Sequence, residues 1–274
     1  MKLETLFSGE TLPKLGFGMW RLGGAETPDY RFDDEVIRLV RTAIDLGCRH
    51  IDTAEGYAGG HAEELVGRAI KSYARQAVFV TTKVSPHDSG LRYEDVIPAF
   101  PASLKRLEVD YVDMYLIHWP SPVVPLEETF RALNEIAAQG AVRYLGVSNF
   151  DLELLKQARE LSRLPIATNQ VPYSLFNRKY AANGVLDYCR ANDILLTAYR
   201  PIQGERLQTD PVVAEIAARH AATPAQIAIA WLVRQPKVIA LFKTAHLERL
   251  RENVAALEIE LAPDEVERLD NLAG

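Results

Sequence analysis

The sequence predicts an α/β fold, a single (β/α)8 barrel of the TIM type over residues 1–274, with an N-terminal β-hairpin cap and short loops. Three observations predict it. From Leu15 onward, short apolar runs alternate with helix-patterned runs, giving eight strands each followed by helix. The 274 residues suit one such barrel, which commonly takes about 250. No Pro/Gly/Ser-rich linker divides the chain. The competing architecture, an open doubly wound sheet, should carry a glycine-rich phosphate loop after an early strand, and the sequence has none.

Residues 1–14 alternate around Ser8-Gly9-Glu10, with Leu3, Leu6 and Phe7 before and Leu12 after, which reads as a capping hairpin. Residues 15–20 form the first barrel strand. Gly16 and Gly18 lie in it, but the third glycine of a dinucleotide fingerprint falls at Arg21 and no helix follows directly. Helix 33–46 carries Val36, Ile37, Val40, Ala43 and Ile44 at helical spacing and stops at Gly47. Strand 49–52, helix 61–74, strand 77–83, helix 93–107 and strand 111–118 follow. Next come helix 126–139, stopped by Gly140, then strand 142–148, helix 151–161, strand 166–170, helix 179–191 and strand 194–199. Helical segments 211–221 and 224–234 lead to strand 238–242. Helix 246–256 and a last helix near 263–272, opened by Pro263, complete the pattern.

Composition narrows the function classes. Hydrophobic residues are 48% of the chain and charged residues 25%, ordinary for a soluble globular protein. The formal charge of −6 argues against a general nucleic-acid or anionic-membrane surface. Cys48 and Cys189 form no CxxC, so each reads as a buried thiol in a reducing compartment rather than a metal ligand or half-cystine. The N-terminus lacks the apolar run of a secretory signal, and no stretch approaches 18 uninterrupted apolar residues. The expectation is a cytoplasmic protein, with no metal and no membrane or nucleic-acid partner.

Barrel enzymes place their chemistry at the C-terminal ends of the strands. The polar residues there are Asp52 with Tyr57 just beyond, then Lys83, His118, Ser148-Asn149, Asn169-Gln170 and Tyr199, and Lys243-Thr244 after the last strand. Each alone has an ordinary reading. Asp52 could be a helix N-cap, Tyr57 a half-buried loop aromatic, Lys83 a surface lysine, His118 a satisfied core histidine. A carboxylate, a phenol, an amine and an imidazole at the same end of successive strands is a different matter, because chance seldom assembles all four.

Asp52 with Tyr57, Lys83 in Thr-Thr-Lys and His118 in Leu-Ile-His-Trp-Pro resemble the catalytic tetrad of the aldo-keto reductases. Gly-Val-Ser-Asn-Phe (146–150), Thr-Asn-Gln (168–170) and Thr-Pro-Ala-Gln-Ile (223–227) extend the similarity over nearly the whole chain. The compact bacterial members, the 2,5-diketo-gluconate and methylglyoxal reductases, are the most similar in pattern. The resemblance implies metal-independent reduction of aldehydes, dicarbonyls or keto-sugars by NADPH, with Tyr57 as proton donor. It also implies a monomer. A free phenol of pKa about 10 needs ~4 kcal/mol to come near 7. A lysine cation at about 4 Å supplies a similar amount at an effective dielectric of about 20. Lys83, held by Asp52, is therefore expected to pull the Tyr57 phenol down. His118, among Ile117, Trp119 and Pro120, is expected to be neutral and to orient the carbonyl, with a protonated His118 as the weaker alternative for the acid because desolvation lowers its pKa.

By the same resemblance, Ser148, Asn149 and Gln170 hold the nicotinamide carboxamide and Tyr199 stacks on its ring. Lys243, Thr244 and Arg249 match the family's contacts to the 2′-phosphate, and Glu252 and Asn253 its adenine contacts. Ser148 or Asn149 alone reads as readily as a cap of helix 151–161, and Arg249 as a solvated helix face. Trp20, Trp119 and Met19 are expected to wall the substrate pocket. The short loops at 119–126 and 200–210, and an end just past the last helix, imply an open site. The sequence departs from the family at Phe242, where proline is common, and at Arg200, where serine is usual. Two other classes stay open: an NADPH-binding sensor or regulatory barrel with little turnover, and a hydrolytic barrel. The second lacks a strand-end carboxylate to pair with Asp52.

Overall fold

A computed structural model describes residues 2–202 and 204–272. Strands β1 (Leu3–Thr5) and β2 (Thr11–Pro13) pair antiparallel as the predicted hairpin. The barrel then runs β3 (Leu15–Gly18), α1 (Asp33–Asp45), β4 (His50–Asp52), α2 (His61–Ile70), β5 (Phe79–Val84), α3 (Tyr93–Leu107), β6 (Val112–Ile117) and α4 (Leu126–Ala138). It continues with β7 (Val142–Ser148), α5 (Leu152–Leu161), β8 (Ile166–Pro172), α6 (Lys179–Ala182), α7 (Val185–Ala191), β9 (Leu195–Tyr199) and α8 (Glu205–Thr209). Helices α9 (Pro211–Arg219) and α10 (Pro224–Val233), strand β10 (Val238–Phe242), and helices α11 (Leu247–Ala255) and α12 (Pro263–Asp270) complete it. Strands β3 to β10 lie side by side in chain order, all parallel, and β10 pairs back onto β3 to close the barrel.

The departures from expectation are local. The helix expected over 179–191 is two pieces, because Gly184 takes a left-handed backbone (φ +85°) that starts α7. The 200–210 connection is not all loop, since it contains α8. The helix expected to reach residue 74 stops at Ile70. Beyond it Tyr73 is tied back to α1, donating its hydroxyl proton to Asp45 Oδ1 (2.7 Å).

Strand alternation sorts the apolar residues into two cores. Leu6 and Leu12 of the hairpin pack with Phe79, Met114, Leu116, Tyr144, Leu195 and Ile239 inside the barrel. The hairpin thus plugs the N-terminal end. It is held there by Glu10, which accepts from Arg143 and from the Tyr144 hydroxyl (both 2.6 Å). The larger core, including Phe17, Ile51, Val80, Tyr115, Ile117, Val147, Phe130 and Trp231, lies between barrel and helices. Both cysteines are buried there, and burial pushes each thiol up to about 12. Above the plug the interior turns polar: His50 Nε2 meets Thr81 Oγ1 (2.9 Å) and Thr168 Oγ1 meets Thr197 Oγ1 (2.7 Å). Burial brings His50 down to about 4, so it is a neutral core histidine. No helix among the described residues is long and apolar enough to cross a membrane.

A second histidine fastens the long β3–α1 connection. His61, at the start of α2, bonds Asp33 Oδ1 through Nε2 and Glu64 Oε2 through Nδ1 (both 2.8 Å). Burial opposes its charge, but the bonds to Glu64 and Asp33 outweigh burial and the pKa is raised. A raised folded pKa gives stability that is full below the unfolded value and is lost as pH rises through the folded one. The melting-temperature advantage of the native chain over His61→Asn should therefore be larger at pH 6 than at pH 9, by about 2–4 °C. Thermal melts across that range check it. An advantage that grows with pH would contradict the charged assignment.

Candidate active site

The plugged barrel leaves its opening at the C-terminal ends of the strands. A cleft of about 520 Å³ lies there, lined among others by Gly18, Trp20, Asp52, Tyr57, His118, Trp119, Gln170, Tyr199 and Arg200. Its floor is set by strand geometry. His50 and Asp52 share the inward face of β4, as Thr81 and Lys83 share that of β5, and registers Ile51–Val80 and Asp52–Thr81 align the two strands. Lys83 is fully buried and donates from Nζ to Asp52 Oδ1 (2.6 Å) and to the Thr53 carbonyl (2.7 Å). Gln170 Nε2 donates to the other Asp52 oxygen (2.8 Å). Burial depresses the lysine, and the Asp52 carboxylate works against that loss.

The loop that delivers Tyr57 is bolted to the next one. Glu55 is buried and accepts from Ser85 N (2.9 Å) and from Ser89 N and Oγ (3.3 and 2.9 Å). A Cβ on Gly56 would lie 2.1 Å from Asp88 Oδ2, so a larger residue there would have to displace the exposed Asp88 carboxyl. The Tyr57 hydroxyl then comes to rest 3.5 Å from His118 Nε2, with the two rings edge to face at 5.5 Å. Lys83 Nζ lies 5.1 Å from the centroid of the Tyr57 ring.

One expectation is corrected here. The phenol is pushed up, not down: burial is the main cause, the Asp52 carboxylate adds to it, and Arg200 opposes it. Lys83 is already matched by Asp52 within 2.6 Å. The pair therefore presents little net charge to the phenol. Tyr57 is a firmly protonated group at neutral pH. His118 follows expectation, since burial, with Lys83 and His87 adding, brings its imidazole down to about 3. Its Nδ1 is buried with no hydrogen-bond partner. An orphaned buried N–H is costlier than an orphaned acceptor, so the proton belongs on Nε2, facing the cleft.

Ser148, Asn149 and Tyr199 form a linked set beside this floor. Ser148 Oγ donates to the Gln170 carbonyl (2.8 Å), Asn149 Nδ2 donates to the His118 carbonyl (3.0 Å), and the Tyr199 hydroxyl donates to Asn149 Oδ1 (2.8 Å). The cap reading of Ser148 and Asn149 fails, because Asp151 is the residue that caps α5, accepting from Leu154 N (2.9 Å). Lys243 lines the cleft edge; Thr244 and Asn253 are buried and Arg249 and Glu252 exposed on the loop and helix beyond it. Thr244 Oγ1 accepts from His246 N (3.1 Å) at the start of α11, leaving its backbone donors open. Met19 is a second correction. Gly18 and Trp20 face the cleft, whereas Met19 between them points outward and is fully buried in the outer core. The alternation of an extended chain explains it. Pro201, Ile202 and Leu241 also line the cleft and were not singled out from the sequence. Nothing in their residue types marks them.

Comparison with known proteins gives this geometry a family. The model of the Aldo/keto reductase family matches residues 14–273. The chain belongs to that family. Methylglyoxal reductase YeaE of Escherichia coli is 39% identical over 96% of this chain and 92% of its own. Glyoxal reductase of Bacillus subtilis is 33% identical over 97% and 91%. Among solved structures, the thermostable aldo-keto reductase Tm1743, in complex with epalrestat, superposes with a TM-score of 0.95 at 46% identity, covering 99% of this chain and 100% of that one. A Klebsiella pneumoniae aldo-keto reductase in complex with NADPH gives 0.88 at 35%, covering 99% and 95%. This aldo-keto reductase thus shares with its relatives the barrel described above. Left-handed backbones occur on both sides of the barrel, with Glu108, Asp193, Ala221 and Lys237 away from the site. Arg21, Ala58, Asn149 and Arg200 all have positive φ and all follow strand ends.

Proposed function

We propose that this aldo-keto reductase reduces small aldehydes, dicarbonyls or keto-sugars to alcohols with NADPH, with Tyr57 giving the proton. One observation carries the reading. A protonated phenol and a neutral imidazole, 3.5 Å apart, face one cleft over a buried Lys83–Asp52 pair. The donor set also fits the cofactor. Amide and hydroxyl groups of Ser148, Asn149 and Gln170 suit a carboxamide, and the Tyr199 face suits a flat heterocycle. Lys243, Thr244 and Arg249 around the N-terminus of α11 suit a phosphomonoester, with Glu252 and Asn253 further along the helix for the adenine.

Bound NADPH supplies the hydride. The chain supplies the rest. His118 Nε2–H orients the carbonyl oxygen toward the Tyr57 hydroxyl. As the oxygen becomes an alkoxide it is a far stronger base than a phenolate, so a phenol with a raised pKa still gives up its proton. The Lys83–Asp52 pair fixes the floor beneath the phenol. Trp20 and Trp119, 43% and 42% exposed, offer apolar walls.

The cofactor half of the reading is tested by kcat/KM for NADPH and NADH with methylglyoxal as acceptor. NADPH is expected to be preferred, and Arg249→Ala should cut the preference about 10-fold by removing one charge-assisted contact. Equal use of both cofactors by the native chain would refute it.

A further inference from the structure

Arg200 is the one charged residue of the cleft lining to which neither the carbonyl chemistry nor the cofactor reading gives a part. It leaves β9 directly after Tyr199 and lines the cleft at its rim. Its guanidinium carbon lies 5.4 Å from the Trp20 ring and 5.9 Å from that of Tyr199. Arg21 sits over the same indole, at 4.7 Å. No carboxylate pairs with Arg200 among the described residues, and Asp52, the only acid in the lining, is already committed to Lys83 and Gln170. The backbone of Arg200 is left-handed, with φ of +55°. An L-residue with a long side chain takes that conformation only where its surroundings hold it. Arg200 and Tyr57 line the same cleft.

We propose that Arg200 selects carbonyl substrates that also carry a carboxylate, gripping the carboxylate at the rim while the carbonyl faces Tyr57 and His118. The proposal rests on the reductase reading above. A guanidinium presents a planar fork that matches a carboxylate bidentately. Stacking on Trp20 and Tyr199 restricts its rotamers, so little freedom is lost when an anion docks. An unbalanced cation beside two apolar walls favours an acid bearing an aldehyde or ketone over its neutral counterpart. Because the rim is open to solvent, the preference should weaken with salt.

Matched substrates test it: 4-formylbenzoate against its methyl ester, with the native chain, Arg200→Asn and Arg200→Lys. Asparagine accepts a left-handed backbone readily, so the first variant is expected to fold, as circular dichroism would check. The native chain should prefer the acid in kcat/KM by about 10-fold or more, mainly through KM. Arg200→Asn should bring that ratio near one, Arg200→Lys should keep part of it, and added potassium chloride should shrink it in the native chain. NADPH affinity is followed in parallel by fluorescence quenching. An acid-to-ester ratio that survives Arg200→Asn overturns the proposal. So does an unchanged ratio with weakened NADPH binding, which would assign the guanidinium to the cofactor. A native chain that reduces the ester but shows no preference for the acid defeats this inference alone. Turnover of neither while methylglyoxal is reduced also defeats this inference, and turnover of none of the three counts against the reductase reading beneath it.

Discussion

Tyr57→Phe should lower kcat for carbonyl reduction by about 10³-fold, the middle of the range for a positioned general acid, while leaving the dissociation constant for NADPH nearly unchanged. The reason is geometric. The ring of Tyr57 packs edge to face on His118 and its loop is fixed by the Glu55 bonds to Ser85 and Ser89. Removing the hydroxyl therefore deletes one atom without loosening the loop. No other group in the cleft takes its place. His118, brought down to about 3, carries only the neutral imidazole proton at physiological pH. Lys83 is buried behind Asp52 and absent from the cleft lining. Steady-state kinetics beside a fluorescence titration separates the two effects. A variant that keeps even a tenth of native kcat would show that the proton comes from elsewhere.

Lys83→Met should cost both stability and activity, and Asp52→Asn in the same chain should return much of the stability. Truncating one partner of a fully buried pair leaves the other as an unmatched charge, a loss of about 3–5 kcal/mol. Here the stranded group would be Asp52, 4% exposed, with Gln170 as its remaining partner. Neutralising both removes the stranded charge, so the double variant should be more stable than Lys83→Met alone, a coupling that a double-mutant cycle measures. Activity should not return with stability. The floor would then lack the Lys83 bonds to Asp52 and to the Thr53 carbonyl that hold the start of the loop leading to Tyr57. Chemical denaturation of the four chains, with kcat for each, checks both halves. Additive stabilities would mean that the pair is not coupled.

Much of this was legible in the sequence, for physical reasons. The strand–helix alternation appears as a change in hydrophobic period, and the eight strands emerge in the expected order. The boundaries shift by a few residues, because the sheet rather than the residue type decides where a strand ends. The four strand-end groups are legible because charged and titratable residues are rare at apolar strand ends. What was not legible depends on direction and on burial. Whether Met19 or Trp20 faces the cleft turns on which residue of an extended chain falls inward. That the phenol is pushed up turns on how completely Lys83 is matched by Asp52 at 2.6 Å, and sequence order carries no such distance. The break at Gly184 and the short helix at Glu205–Thr209 lie where the helical pattern is weak. Pro201, Ile202 and Leu241 join the cleft only through folding of the loops.

Carbonyl-dependent oxidation of NADPH by the purified native chain, followed through loss of the nicotinamide absorbance with methylglyoxal as acceptor, tests the central claim most directly. The account predicts saturable turnover that yields one NADP⁺ and one hydroxyl product for each carbonyl consumed. Tight NADPH binding with no oxidation, on methylglyoxal and on a panel of aldehydes and keto-sugars alike, would contradict it.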